Sequence, residues 1–333
     1  MTARVLAFFN KKTGVGKTSL AYHLAWMYSD LGVCVLAADL DPQANLSAAF
    51  LDDETIEEFW REDAHPRTVY GCVRPLQERT GDLGEPYVHS IEEGPHLLVG
   101  NMSLSLFEDL LSDQWPRASD SEVGAFRVLS AFWRMMQQGA EKVGAELVVM
   151  DLGPNLGAIN RTALISADYI AVPLGPDLFS IRGLQTLGPT LQQWRVLWKR
   201  RLDVRPNASL DIPRGTMEPI GYLVLQHWEW MGRPVGAYHK WIARIPRAYR
   251  EAVPSDLPDP ESGVGNDPAC ILLLKHYRSL IPMAQEARKP IFHLKAADGA
   301  IGSHFQAVLS ARKDFELLAR AIAGRIGLTI PDQ

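Results

Sequence analysis

The run Asn10-Lys11-Lys12-Thr13-Gly14-Val15-Gly16-Lys17-Thr18-Ser19 brings together the groups needed to grip a phosphate. An apolar stretch of strand length (residues 4–9) precedes it, and a helical pattern begins at Thr18, so the run opens a helix. A helix start carries free N–H groups and a partial positive charge, and both attract anions. Gly14 and Gly16, with Val15 between them, let the backbone wrap close to the anion. Lys17 can reach β- and γ-phosphates, and the Thr18 hydroxyl can bind Mg²⁺. Lys11, Thr13, Gly14, Val15, Gly16, Lys17, Thr18 and Ser19 are therefore the candidate contacts to a nucleotide.

Such a cradle needs carboxylates to manage metal and water, and three stand where strands should end. Asp39 and Asp41 close the second apolar run, in Ala38-Asp39-Leu40-Asp41-Pro42-Gln43. The C-terminal end of a parallel strand faces the crevice where ligands bind. Mg²⁺ takes a carboxylate or two and keeps waters, so an aspartate here can orient a metal-bound or attacking water. The alternative role of Asp41-Pro42, capping the next helix, stays open. Asp151 closes another apolar run, Val148-Val149-Met150-Asp151, in the form of a Walker B strand, and suits contact to Mg²⁺ through water. Thr18, Asp41 and Asp151 are the candidate metal residues.

The elements that must position these groups are legible as alternating apolar runs and helical patterns. Helical periodicity covers residues 18–30, and Gly32 ends that helix. The spacing predicts a strand over 33–38, a helix over 122–142, a strand over 146–150 and a short helix over 156–167. A strand over 169–173, a helix over 178–198, a strand over 220–225 and a closing helix over 302–326 follow. This alternation predicts an α/β fold, a doubly wound, mostly parallel sheet flanked by helices. One domain is expected over 1–333, with a charged insertion at about 52–84 and a loop insertion at about 254–268. The first strand begins at about Arg4, so no additional N-terminal domain for reading a DNA operator is expected.

Composition excludes several classes. With 47% apolar and 22% charged residues the chain is not intrinsically disordered. No apolar run approaches the roughly 18 residues of a membrane span. Three cysteines far apart give neither disulfide framework nor metal spacing, which points to a reducing cytoplasm. A net charge of -5 means that nucleic-acid binding would need a local patch.

The usual Walker A pattern has a glycine five residues before Gly16, where this chain has Lys11. The segment instead resembles the deviant Walker A motif, Lys-Gly-Gly-x-Gly-Lys-Thr, of the ParA/MinD superfamily of SIMIBI-class P-loop ATPases. Lys12 takes the place of the signature lysine, and Thr13 replaces the first glycine. Asp39-Leu40-Asp41-Pro42-Gln43 is similar to the family's Asp-x-Asp-Pro-Gln motif. Asp151-Leu152-Gly153-Pro154 is similar to its Asp-x-Pro-Pro, with Gly153 for one proline. The strand at 167–173, the helix after Asp177, Ile281-Pro282 and Arg288-Lys289-Pro290-Ile291 also resemble the family, closest to its ParA/Soj-type partitioning ATPases.

The resemblance implies ATP and Mg²⁺ as ligands and a homodimer formed with ATP. Lys12 would reach across it to the partner's phosphates, with Lys11 its neighbour and rival. It implies that Asp41 positions the attacking water, that Asp39 supports the loop, and that Gln226 lies beside adenine. It further implies slow hydrolysis stimulated by a partner protein, in segregating or positioning DNA or another cargo. Two other readings share the scaffold: a nucleotide-binding adaptor with weak hydrolysis, and an ATP-dependent metabolic ligase. For nonspecific DNA, the basic candidates are Arg233, Lys240, Arg244, Arg247 and Arg250, interleaved with Trp230, Tyr238, Trp241 and Tyr249. Membrane targeting by the last helix is not expected. Its tail, Gly327 to Gln333, ends acidic, and the stripe of Phe315, Leu317, Leu318, Ala321, Ile322 and Ile326 suits packing on the sheet.

Overall fold

A computed structural model describes residues 2–61, 66–206, 209–227, 229–230, 233–234, 240–253, 263–275, 277 and 279–331, with backbone alone for 226–227, 229–230 and 233–234. Strand β1 (Arg4–Phe8) runs into the glycine turn and α1 (Lys17–Asp30), and β2 (Val35–Asp39) follows. Helix α2 (Asn45–Phe50) comes next, and the charged stretch expected at about 52–84 contains α3 (Asp53–Trp60) and α4 (Val69–Gln77). After β3 (His89–Ser90) and β4 (His96–Leu98) come α5 (Glu108–Arg117), α6 (Val123–Leu129) and α7 (Ala131–Val143). Then β5 (Leu147–Asp151), α8 (Ala158–Ile165), β6 (Tyr169–Leu174), α9 (Leu178–Asp203) and β7 (Glu218–His227) repeat the alternation. A small ribbon of β8 (Glu229–Trp230) and β9 (Arg233–Pro234) precedes α10 (Ile245–Ala252) and β10 (Cys270–Lys275). The chain closes with α11 (Ile281–Ala287) and α12 (Ser303–Ile326).

Eight strands form one sheet in the order β10-β7-β6-β1-β5-β2-β4-β3. Every neighbouring pair is parallel except β3 with β4. The expected doubly wound, mostly parallel sheet is thus observed. Its central strands are buried on both faces, which is why they read as unbroken apolar runs. One face packs against α4 to α10, with Trp198, Phe107, Phe126 and Phe132 in its core. The other packs against α1, α2, α3 and α12, with Leu24, Tyr28, Phe315 and Ile322.

Several boundaries differ from the sequence expectation. The helix expected over 122–142 is two helices that meet at Ser130. There the Ser130 hydroxyl donates to the Arg127 carbonyl, and Arg134 donates to the same oxygen, so a helix end is satisfied by side chains. Strands β3, β4 and β10 were not expected: the first two are only two and three residues long, too short for any period to show. The stripe of the last helix packs on the sheet as expected, except that Leu317 is 58% exposed. Residues 254–262 of the loop insertion lie outside the described residues; Val264–Asn266 forms a single 3-10 turn. Among the described residues, no helix is long and apolar enough to cross a membrane.

Candidate nucleotide site

The C-terminal edge of the parallel strands brings the cradle and the carboxylates together. Gly16 caps α1 with φ 79°, a left-handed conformation that L side chains rarely adopt, so the turn into the helix depends on glycine. Lys11, Thr13, Gly14 and Ser19 are exposed, Thr18 is half-buried, and Val15 is buried behind the loop. Lys17 is buried, and its Nζ donates to the Lys12 carbonyl at 3.2 Å, which closes the loop over its own lysine. Burial pulls the Lys17 pKa down, opposed by the charges of Asp151 and Asp41.

Asp39 and Asp151 are register neighbours on β2 and β5, and neither is exposed. Burial pushes both carboxyls above the ordinary carboxylate range, and each is raised further by another carboxylate of the cluster. Asp39 Oδ2 accepts from the Ser47 amide at 2.8 Å and the Ser47 hydroxyl at 2.7 Å, which pins the start of α2. Asp39 Oδ1 and both Asp151 oxygens are buried and short of hydrogen-bond donors, with the Thr18 hydroxyl and the Leu152 amide assisting Asp151. Asp41, at the chain turn, accepts from the Gln43 amide at 3.0 Å.

The under-satisfied Asp151 oxygens, the Asp41 carboxylate and the Thr18 hydroxyl are oxygen donors of the kind a hard cation takes. Thr18, Asp41 and Asp151 therefore fit Mg²⁺. Among the described residues no three His, Cys, Asp or Glu side chains converge to hold a metal alone. That suits an ion that shares its coordination with phosphate oxygens.

The two lysines at the loop separate. Lys11 is exposed, whereas Lys12 Nζ lies 2.5 Å from Asp177 Oδ2, at the start of α9. Sequence reasoning did not select Asp177 as a partner of Lys12, because nothing local links positions 165 residues apart.

Beside the cradle a cleft of about 170 Å³ is lined by Gly14, Val15, Leu225, Leu274, Tyr277 and Ile281. A larger one, about 580 Å³, opens between α1, α2 and α11 and adjoins Thr18 and Ser19. Both share His23, Ile281 and Ile291. Gln226 is the next-to-last residue of β7, one past Leu225; its side chain is outside those described. Leu274 on β10, and Tyr277 two residues past its end, were missed by sequence reasoning because that strand was.

His23 welds this wall to the cradle. Its Nδ1 lies 2.7 Å from the Ser19 carbonyl, which can only accept, and its Nε2 accepts from the Ile291 amide at 3.2 Å. These two bonds require the neutral ring with the proton on Nδ1. Burial lowers its pKa to about 4. The unfolded chain therefore binds a proton that the fold refuses between pH 6.5 and about 4, and stability falls as the pH drops through that window. Acidification from pH 6.5 to 5 should cost roughly 2 kcal/mol through this group. Urea unfolding at both pH values tests it: His23→Gln, which does not titrate, should lose that much less than the wild type. Equal losses would remove His23 from the account.

The basic segment is less uniform than its sequence. Lys240, Arg244 and Arg247 are exposed, and Arg247 pairs with Glu251 at 2.7 Å. Arg250 is a correction to the basic patch. It grips buried Asp267 through two nitrogens, at 2.6 and 3.0 Å, and Asp267 also accepts from the buried Tyr222 hydroxyl. A guanidinium already spent on a buried carboxylate cannot serve a phosphate. Tyr249 is buried and Trp241 half-buried, so neither offers a stacking face like an exposed ring. The side chains of Trp230, Arg233 and Tyr238 lie outside those described.

The sequence model of a family described as an AAA domain matches residues 3–204. The chromosome-partitioning ATPase Soj of Thermus thermophilus is 29% identical over 199 residues, 60% of this chain and 66% of that protein. A putative replication protein A of Rhizobium rhizogenes is 32% identical over 238 residues, 66% of this chain and 54% of that protein. The chain thus spans between about half and two thirds of the length of these relatives. Among solved structures, a Corynebacterium diphtheriae protein superposes with a TM-score of 0.72 at 21% identity, covering 97% of this chain and 98% of that one. An ATP complex of a Cyanothece McdA variant superposes with a TM-score of 0.65 at 16% identity, covering 100% and 99%. At such identities these two structures speak for the fold, while the family match and the motif order of cradle, Asp39-Leu40-Asp41 and Asp151 speak for descent. The chain belongs to the ParA/MinD-type family of P-loop ATPases.

Proposed function

We propose that this chain is an ATPase that uses ATP and Mg²⁺ to switch between monomer and homodimer, in order to segregate or position DNA or another cargo. Hydrolysis is slow and is stimulated by a partner protein. The observation that carries the reading is the buried pair Asp39–Asp151, short of donors, beside Lys17 and Thr18 at the mouth of a glycine cradle. Buried carboxylates short of donors at the mouth of a phosphate cradle are groups that a bound ion or water completes.

Thr18, Asp41 and Asp151 would hold Mg²⁺, which when bound neutralises charge that develops on the transferring phosphoryl group. The amides of Thr13 to Ser19 and the Lys17 ammonium hold the phosphates in line. Asp41 orients the attacking water and takes up its proton. Asp39 holds Ser47, and so fixes the segment that carries Asp41. Lys12 reaches the phosphates of the second protomer. Gln226 and the cleft lined by Leu225, Leu274 and Tyr277 take the nucleoside. The likeness to Soj supports the partitioning role.

Calorimetric titration with Mg²⁺-ATP tests the reading. The wild type should bind, and Lys17→Ala should lose about 2 kcal/mol or more, roughly thirtyfold in Kd, because it removes a buried ammonium from the phosphates. A wild type that takes up no nucleotide would end the proposal. Binding with no phosphate released would turn it to the nucleotide-binding adaptor.

For DNA the surface offered is Lys240, Arg244 and Arg247, with Arg233 of β9 a further candidate from the sequence. Binding of random duplex should require ATP and fall with salt at a slope near -0.9 per phosphate neutralised. Three or four contacts predict a loss of roughly 40- to 150-fold between 50 and 200 mM salt. Retention of DNA binding by a Lys240→Ala/Arg244→Ala/Arg247→Ala variant would move the interface elsewhere.

A further inference from the structure

We infer that Asp177 is the residue that holds Lys12 inside its own protomer and so sets how readily two protomers join, an inference that rests on the dimerisation reading above. Lys12 Nζ and Asp177 Oδ2 are 2.5 Å apart, and the two side chains are about a third exposed, 31% and 32%. A lysine held there is not free to reach another molecule.

The surroundings let the lysine move while everything else stays. Asn10, fully buried, donates to the Pro173 carbonyl at 2.7 Å and accepts from the Lys12 amide at 3.0 Å. The base of Lys12 is thereby tied to the end of β6, and release needs only rotation of the side chain. Asp177 loses little when the ammonium leaves. Its Oδ1 accepts from the amides of Phe179 and Ser180 at 2.9 and 3.0 Å, and its Oδ2 accepts from the Ser180 hydroxyl at 3.1 Å. The ammonium, by contrast, needs another anion, and a triphosphate presents more negative charge than one carboxylate. A partly exposed ion pair is weak enough for that competition to succeed.

Asp177→Asn tests the hold without removing the helix cap, since asparagine caps as well as aspartate. The nucleotide-free full-length chain is acetylated with limiting reagent, and Lys12 and Lys11 modification is read by mass spectrometry. Lys12 should react about three- to fivefold faster in the variant, as expected for loss of a partly exposed pair, with Lys11 unchanged. Sedimentation with Mg²⁺ and a non-hydrolysable ATP analogue should show the variant dimerising at about three- to fivefold lower protein concentration. The difference should vanish in a Lys12→Ala background. Equal Lys12 reactivity in the two proteins overturns the inference. So does an unchanged dimerisation midpoint where the wild type does dimerise. Faster Lys12 labelling with no dimer in either protein upholds the pairing and instead defeats the dimerisation reading.

Discussion

Asp41→Ala should lower ATP turnover by about 10²- to 10⁴-fold, the usual worth of a positioned general base, and leave ATP affinity within roughly threefold. The reason lies in what holds the carboxylate. Asp41 is 7% exposed and follows the end of β2, and the protein supplies it with one amide donor, from Gln43. One oxygen is thus anchored and the group is aimed, which is the arrangement for orienting a water. Lys17 and the cradle amides keep their hold on phosphates in the variant, so ground-state binding survives. Single-turnover phosphate release measured beside a binding titration separates the two parameters. If affinity and turnover fall together, Asp41 acts chiefly by holding Mg²⁺. If turnover is unchanged, Asp41 positions no water.

Gly188→Ala should destabilise the fold by about 3 kcal/mol, whereas the same change at an open helix position should be tolerated. Gly188 lies inside α9, where a Cβ would sit 1.7 Å from the Ala252 carbonyl oxygen and 2.4 Å from its carbon. Those atoms are backbone, at the end of α10, so no rotamer change relieves the clash and the two helices must part. Pro189, the next residue, already removes one helical N–H, so α9 has less reserve at that point. Better helix propensity returns only about 0.5–1 kcal/mol. Gly124→Ala, in α6 with nothing within 4 Å of the added methyl, is the control and should be neutral or slightly stabilising. Denaturant unfolding of both variants measures the contrast. A Gly188→Ala protein as stable as the wild type would mean that α10 is not seated as described. Under the proposed DNA-binding reading the seat also matters for function, because α10 carries Arg247 and follows Arg244.

Much of the fold and the site could be read from local pattern. Residues 4–9 and 146–150 are apolar without interruption because a parallel strand buried on both faces needs no polar alternate. Gly16-Lys17-Thr18 announces itself because the strand, turn and helix that make an anion site are contiguous in the chain. The same holds for Asp39 and Asp41 at the end of β2 and for Asp151 at the end of β5. Local chemistry cannot say which tips become neighbours. That Asp39 and Asp151 lie in register, so that the Asp151 charge helps to raise the Asp39 pKa, follows from strand order, with β5 inserted between β1 and β2.

The sequence by itself determined the order of the chemistry-bearing groups and the alternation that must stack them along one edge of a sheet, because both depend on contacts within a few residues. Only the tertiary structure decided their partners. It placed Asp177 against Lys12, removed Arg250 from the basic surface by giving it Asp267, bound His23 to the far wall at Ile291, and added β10 as a sheet edge. Each of these is a choice among distant groups of similar character. An ammonium or a guanidinium accepts any carboxylate within reach, and reach is set by packing, which no window of sequence contains.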